Sequence, residues 1–208
     1  MTEIYDFLFA QYSAYSTTHI ILETIAVLFG IFSVFYAKNN NILVYPTGII
    51  STAIYIYLLF IWQLYGDLII NGYYFYMSIY GWYLWSRKDK RNNDLLKISA
   101  MTKRDKYISA GIFTSAVLVV SVIYYYTGNF SYWWAYVDTF ITGLFFIGMW
   151  LMANRKIEYW LFLIAGDIIA IPLFFYKGYT LSSILYVFLT IVAIFGYREW
   201  RKILRKQE

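Results

Sequence analysis

Four carboxylates interrupt otherwise apolar stretches of this chain: Glu23, Asp67, Asp138 and Asp167. An ionisable group inside hydrocarbon is costly and by default marks a function. No Lys or Arg lies in the same stretches, so these carboxylates should draw cations toward them. Around them stand Tyr55, Tyr57, Tyr73, Tyr74, Tyr76, Trp82 and Trp134, whose ring faces hold flat cations by stacking and cation–π attraction. The chemistry expected is recognition of a flat, aromatic, cationic solute. Asn71, Tyr74, Ser78 and Trp82 follow one another at helical spacing and predict a stripe on one face. With Asp138 and Asp167 they form the candidate substrate site. Trp85, immediately before Ser86 and Arg87, reads instead as an anchor at a membrane interface.

The elements that position these groups follow from composition. The 208 residues are 61% hydrophobic and only 14% charged, with a mean hydropathy of +0.54, against the ~25% charged of ordinary soluble domains. Seven apolar stretches of bilayer length occur at 20–37, 42–62, 65–86, 107–126, 133–153, 157–175 and 180–199. The expected fold is an all-α integral membrane protein with seven transmembrane helices. Residues 1–19, with Tyr5, Phe7, Phe9, Tyr12 and Tyr15, predict an interfacial segment. They lack the basic start of a cleavable signal peptide. Residues 87–106 form a basic loop and 200–208 a basic tail. Of the 17 Lys and Arg residues, all but Lys177 fall on one side of this arrangement. The N-terminus is then outside and the C-terminus cytoplasmic. The positive charge faces anionic lipid headgroups, making membrane lipids its partner, and requires no nucleic acid. Pro46 and Pro172 predict kinks in the second and sixth helices.

Gly81 and Trp85 recur as Gly196 and Trp200, an offset of 115. The same offset carries Glu23–Thr24 onto Asp138–Thr139 and Asn39 onto Asn154. Residues 20–86 thus match 133–199, with 107–126 as a linker helix. Four crossings separate the two halves, so both enter the membrane in the same direction, a 3+1+3 parallel repeat of the kind that encloses a solute path. The chain has no cysteine, no phosphate-binding G-x-x-x-x-G-K-[ST] loop, no H-E-x-x-H and no G-x-S-x-G. A transporter is expected, not an enzyme, with no cofactor or metal. A cation channel, or a proton-coupled carrier with Asp167 as its proton site, is the alternative from another class.

From about Glu23 to Trp200 the sequence resembles the PnuC family of vitamin-precursor transporters, most clearly in "QLYGD" at Gln63–Asp67 and "IYGWYLWSRK" at Ile79–Lys88. The resemblance implies a fold related to the SWEET sugar transporters, placed in a bacterial cytoplasmic (inner) membrane. It also implies facilitated diffusion of a nucleoside-like vitamin, trapped afterwards by a kinase, and assembly as a homotrimer. Nicotinamide riboside is the leading substrate implied and thiamine the alternative; other relatives carry riboflavin. The nicotinamide riboside type carries amides at positions matching Ser51, Asn71, Ser78, Asp167 and Phe195, and only Asn71 keeps one here. Each lost amide leaves a ligand group unpaired at about 1–3 kcal/mol when buried. Asp167 instead offers a full negative charge, suited to an aminopyrimidine or a thiazolium. "IAGD" and "FGYREW" look more like the thiamine branch.

Overall fold

The structure is a computed structural model that describes residues 15–90 and 93–207. Most of the expected interfacial segment 1–19 lies outside those residues. Among the described residues seven α-helices follow one another: α1 Thr17–Lys38, α2 Val44–Ile61, α3 Tyr65–Ser86, α4 Lys103–Tyr126, α5 Trp133–Ala153, α6 Tyr159–Tyr176 and α7 Thr180–Arg205. They coincide with the seven stretches read from hydropathy, with α4 and α7 extended by polar turns at the basic end. All but α3 are long and apolar enough to cross a membrane by length and composition. Pro46 does not kink α2. It lies in the first turn, where a missing N–H breaks no helical bond. Pro172 is inside α6.

Helix neighbours define the architecture. α1 packs on α2 and α2 on α3; α5 packs on α6 and α6 on α7; α3 meets α5, and α7 meets α1. Six helices therefore close a ring, and α4 lies outside it against α5. The connections obey one pattern at positions 115 apart. α1 ends with Asn40 at φ 50° and α5 with Arg155 at φ 49°, left-handed residues that let the next amides reach back and satisfy helix-end carbonyls. Asn40 and Asn41 donate to Ala37 and Tyr36, and Arg155 and Lys156 donate to Met152 and Leu151. Gln63 after α2 and Gly178 after α6 also have positive φ, 59° and 82°, with the same pair of return bonds.

The core gathers at the basic end of the ring. Trp85, Trp160 and Trp200 are almost wholly buried with Tyr45 and Tyr159. Trp85 and Trp200 lie 6.0 Å apart, and Trp160 meets Trp200 edge-on at 5.8 Å. Each of the two end-of-helix indoles uses its one donor on a helix-end carbonyl: Trp85 donates to Ala153 at 3.2 Å and Trp200 to Ala37 at 2.9 Å. The interfacial-anchor reading of Trp85 is therefore corrected, since it is 1% exposed, whereas Trp82 is 43% exposed on the bundle surface. Helix geometry explains the exchange. At roughly 100° per residue, Trp85 falls ~20° from Tyr74 around α3 and Trp82 ~80° away.

The segment after α3 folds under this aromatic seal. Arg155 is buried with its guanidinium 4.0 Å from the Trp85 ring centre; it bonds to the Leu96 carbonyl and to Asp94. Asp94 also pairs with Lys88. Burial alone would raise the Asp94 pKa, but hydrogen bonds from Lys88 and Arg155, with their positive charges, hold it below the ordinary aspartate value. A lowered native pKa contributes stability above the unfolded value, lost as pH falls through the native one. Hydrogen-exchange protection of Ser99 and Ile157, whose amides join this segment to the end of α5, should therefore hold at pH 7. It should fall once pH drops below ~3.9, the unperturbed aspartate value. Asp94→Asn should show the low protection already at pH 7; protection in Asp94→Asn equal to the parent's at pH 7 would show that Asp94 does not hold this segment.

Candidate substrate site

A cavity of ≈ 270 Å³ lies inside the ring, near the lower end of the ~300–1,000 Å³ usual for small-molecule sites. All six ring helices line it: α1 with Ser33, Val34 and Ala37, α2 with Val44 and Gly48, α3 with Tyr74 and Ser78. On the other side stand Phe145, Met149 and Met152 of α5, Tyr159, Leu163 and Asp167 of α6, and Tyr186 and Leu189 of α7. The linker helix α4 contributes nothing. Five pairs of lining residues are related by 115: Val34 and Met149, Ala37 and Met152, Val44 and Tyr159, Gly48 and Leu163, Tyr74 and Leu189. The cavity thus lies between corresponding faces of the two halves.

Asp167, halfway along α6, is the only Asp, Glu, Lys, Arg or His among the described residues of this lining, and it is 3% exposed. None of the ion pairs among the described residues involves it. Tyr74, Tyr159 and Tyr186 lie within electrostatic reach of its carboxyl. Stacking braces the wall: Tyr73 lies flat on Phe146 at 3.9 Å and donates its hydroxyl to the Phe146 carbonyl at 3.0 Å. The Tyr186 ring lies nearly parallel to Phe145, with centroids 6.2 Å apart. Ser33 donates to the Val44 carbonyl and Ser78 to that of Tyr74, so both hydroxyl donors are engaged and each oxygen keeps acceptor capacity. A buried carboxylate among tyrosine rings holds an organic cation by charge and by ring face together.

Three of the six expected site residues, Tyr74, Ser78 and Asp167, line this cavity; Asn71, Trp82 and Asp138 do not. Asn71 donates to the Asp67 carbonyl one turn back. Asp138 accepts a hydrogen bond from Tyr124 at 2.7 Å and pairs with Lys177 at 3.2 Å. The expectation of acidic groups without a compensating cation is thus corrected at Asp138, because the α6–α7 connection delivers its lysine there. Sequence reading missed Tyr159 and Tyr186. The offset of 115 was the available signal: applied to Asn71 it gives Tyr186.

Residues 20–202 match the family described as nicotinamide mononucleotide transporter. The nicotinamide riboside transporter PnuC of Escherichia coli is 25% identical over 205 residues, covering 86% of this chain and 84% of its own length. That of Neisseria mucosa is 24% identical, covering 89% of this chain and 73% of its own. The riboflavin/roseoflavin transporter RibM of Streptomyces davaonensis is 28% identical over 126 residues, 60% of this chain and 58% of its own. A crystal structure of the vitamin B3 transporter PnuC shares the fold with a TM-score of 0.67, at 22% identity over 90% of this chain and 83% of that one. With nearly its whole length matched, the chain belongs to the nicotinamide mononucleotide transporter family, the family of the PnuC proteins.

Proposed function

We propose that this protein carries nicotinamide riboside across a bacterial inner membrane by facilitated diffusion, between two parallel three-helix repeats. The observation that carries a cationic vitamin as the cargo is the buried Asp167 carboxylate, in electrostatic reach of three tyrosines in a cavity lined by every helix of the ring; the relatives choose nicotinamide riboside among such cargoes. The pyridinium of nicotinamide riboside is flat, aromatic and cationic, and suits that environment. The relatives named for nicotinamide riboside cover most of their own length, 84% and 73%, against 58% for the riboflavin relative, whose flavin is uncharged. Corresponding turns, ring contacts and cavity residues at 115 support the parallel repeat. The crowding of Lys and Arg at one end supports a cytoplasmic C-terminus. The aromatic cluster of Tyr45, Trp85, Tyr159, Trp160 and Trp200 closes the basic end, as alternating access requires of one side. Thiamine is the second reading, favoured by the same carboxylate, which suits its aminopyrimidine and thiazolium.

Uptake of labelled nicotinamide riboside and thiamine into proteoliposomes tests both. Saturable uptake of nicotinamide riboside, unchanged by an imposed potential or pH gradient once its own charge is allowed for, is expected. Preference for thiamine would select the second reading. Dependence on the pH gradient would make the protein a proton-coupled carrier, and a cation current that does not saturate with either solute would make it a channel.

A further inference from the structure

The end of the ring opposite the aromatic seal holds a second arrangement of rings and carboxylate. Lys177, just after α6, points its ammonium at three aromatic faces. It lies 4.5 Å from the Trp134 ring centre, 5.2 Å from Phe174 and 5.9 Å from Tyr179. The same nitrogen is 3.2 Å from the Asp138 carboxylate, and both side chains are 18% exposed. Tyr124 of α4 holds the Asp138 carboxylate at 2.7 Å. Asp67, at the start of α3, lies within electrostatic reach of both Asp138 and Lys177. One carboxylate and three rings thus surround one primary ammonium, with a second carboxylate in electrostatic reach. Rings around a cation beside a carboxylate are the means by which proteins recognise substituted ammonium ions.

We propose that Trp134, Phe174, Tyr179 and Asp138 form an outer subsite for organic cations, which Lys177 occupies as a tethered stand-in until an arriving cation displaces it. Lys177 is suited to leave. Its ammonium rides on a flexible four-carbon stem and is partly exposed at the short connection after α6. The corresponding corner of the first half shows that packing does not demand a lysine there. The positions 115 earlier than Lys177 and Trp134 are Trp62 and His19, in edge-on contact at 6.1 Å, with Tyr15 stacked on Trp62 at 4.7 Å. Rings fill that corner without a lysine, beside Glu23, the counterpart of Asp138. The subsite lies outside the cavity of Asp167. It would concentrate cationic solutes at the mouth, and the tethered lysine would keep small inorganic cations from holding it. The choice of an organic cation extends the substrate reading above, but the subsite can be tested without any transported vitamin.

Tetramethylammonium is the probe, titrated into the purified full chain at constant ionic strength and followed by saturation-transfer NMR of its methyl groups. Lys177→Met keeps the alkyl stem over the rings and Lys177→Gln keeps a hydrogen bond to Asp138. Either variant is expected to bind the probe at least tenfold more tightly than the parent. Adding Trp134→Leu or Asp138→Asn to either should abolish the gain. Equal binding by parent and variants would overturn the proposal, as would a gain that survives Trp134→Leu. Loss of the folded state in both Lys177 variants would identify the lysine as a structural tie and overturn it equally. Failure of vitamin uptake with the probe result intact would count against the substrate alone.

Discussion

Asp167→Asn is expected to lower the affinity for nicotinamide riboside by roughly ten- to a hundredfold, from the ~1.5–3 kcal/mol that a hydrogen bond to a charged group contributes. Asparagine has nearly the same shape, so the cavity and the helix around it should stay in place and the thermal midpoint should hold or rise. The informative comparison is with the reduced riboside, nearly isosteric but without the ring charge. The parent should prefer the cationic form strongly, and the variant should lose most of that preference. Binding measured by intrinsic tryptophan fluorescence, together with uptake, checks both. An equal loss for the two forms would mean that Asp167 positions the wall and does not recognise charge.

The second large effect concerns two glycines. A Cβ at Gly81 would lie 2.2 Å from the ring of Tyr45, and a Cβ at Gly196 would lie 2.5 Å from the ring of Trp160. Both rings are 0% exposed, so neither can swing away. Overpacking of this kind typically costs about 1–3 kcal/mol, and a branched side chain adds further clashes. Gly196→Val and Gly81→Val are therefore expected to lose most folded protein in detergent, and the alanine variants to melt several degrees lower. Pairing Gly81→Ala with Tyr45→Leu should recover part of that loss, which neither change would do alone. Simple additivity of the two changes would place the damage elsewhere than in this contact.

The helices were legible in the sequence because bilayer length leaves little freedom: each apolar stretch between polar turns had to be one helix. The offset of 115 was legible because glycine–aromatic contacts and helix ends constrain residue type, as Gly81 against Tyr45, Gly196 against Trp160, and the helix-capping Asn39 and Asn154 show. The cavity lining was legible only in part, because it depends on how each helix is rotated. An assumed stripe through Asn71, Tyr74, Ser78 and Trp82 drifts around α3, so its two middle members face the cavity and its ends do not. The partnership of Asp138 with Lys177 spans a helix and a connection, 39 positions, and no local pattern announces it. Tyrosine in a chain with 24 of them gives no sign of which few matter.

The contacts within the two halves are not copies of one another. α1 meets α2 through Gly30 against Ser51 and Ser33 against Gly48; 115 positions on, α5 meets α6 through Phe145 against Gly166 and Gly148 against Leu163. Phe145 and Leu163 project into the cavity where their counterparts are glycines. One half supplies bulk and the only charge, the other supplies room. A frame that is nearly two-fold therefore encloses a chamber with a handed interior. A cargo whose two ends differ meets a charged wall at α6 and a neutral one across the cavity at α1, α2 and α3. Positions related by 115 are thus not interchangeable, and the difference between the two walls gives the chamber a polarity that the ring of helices around it lacks.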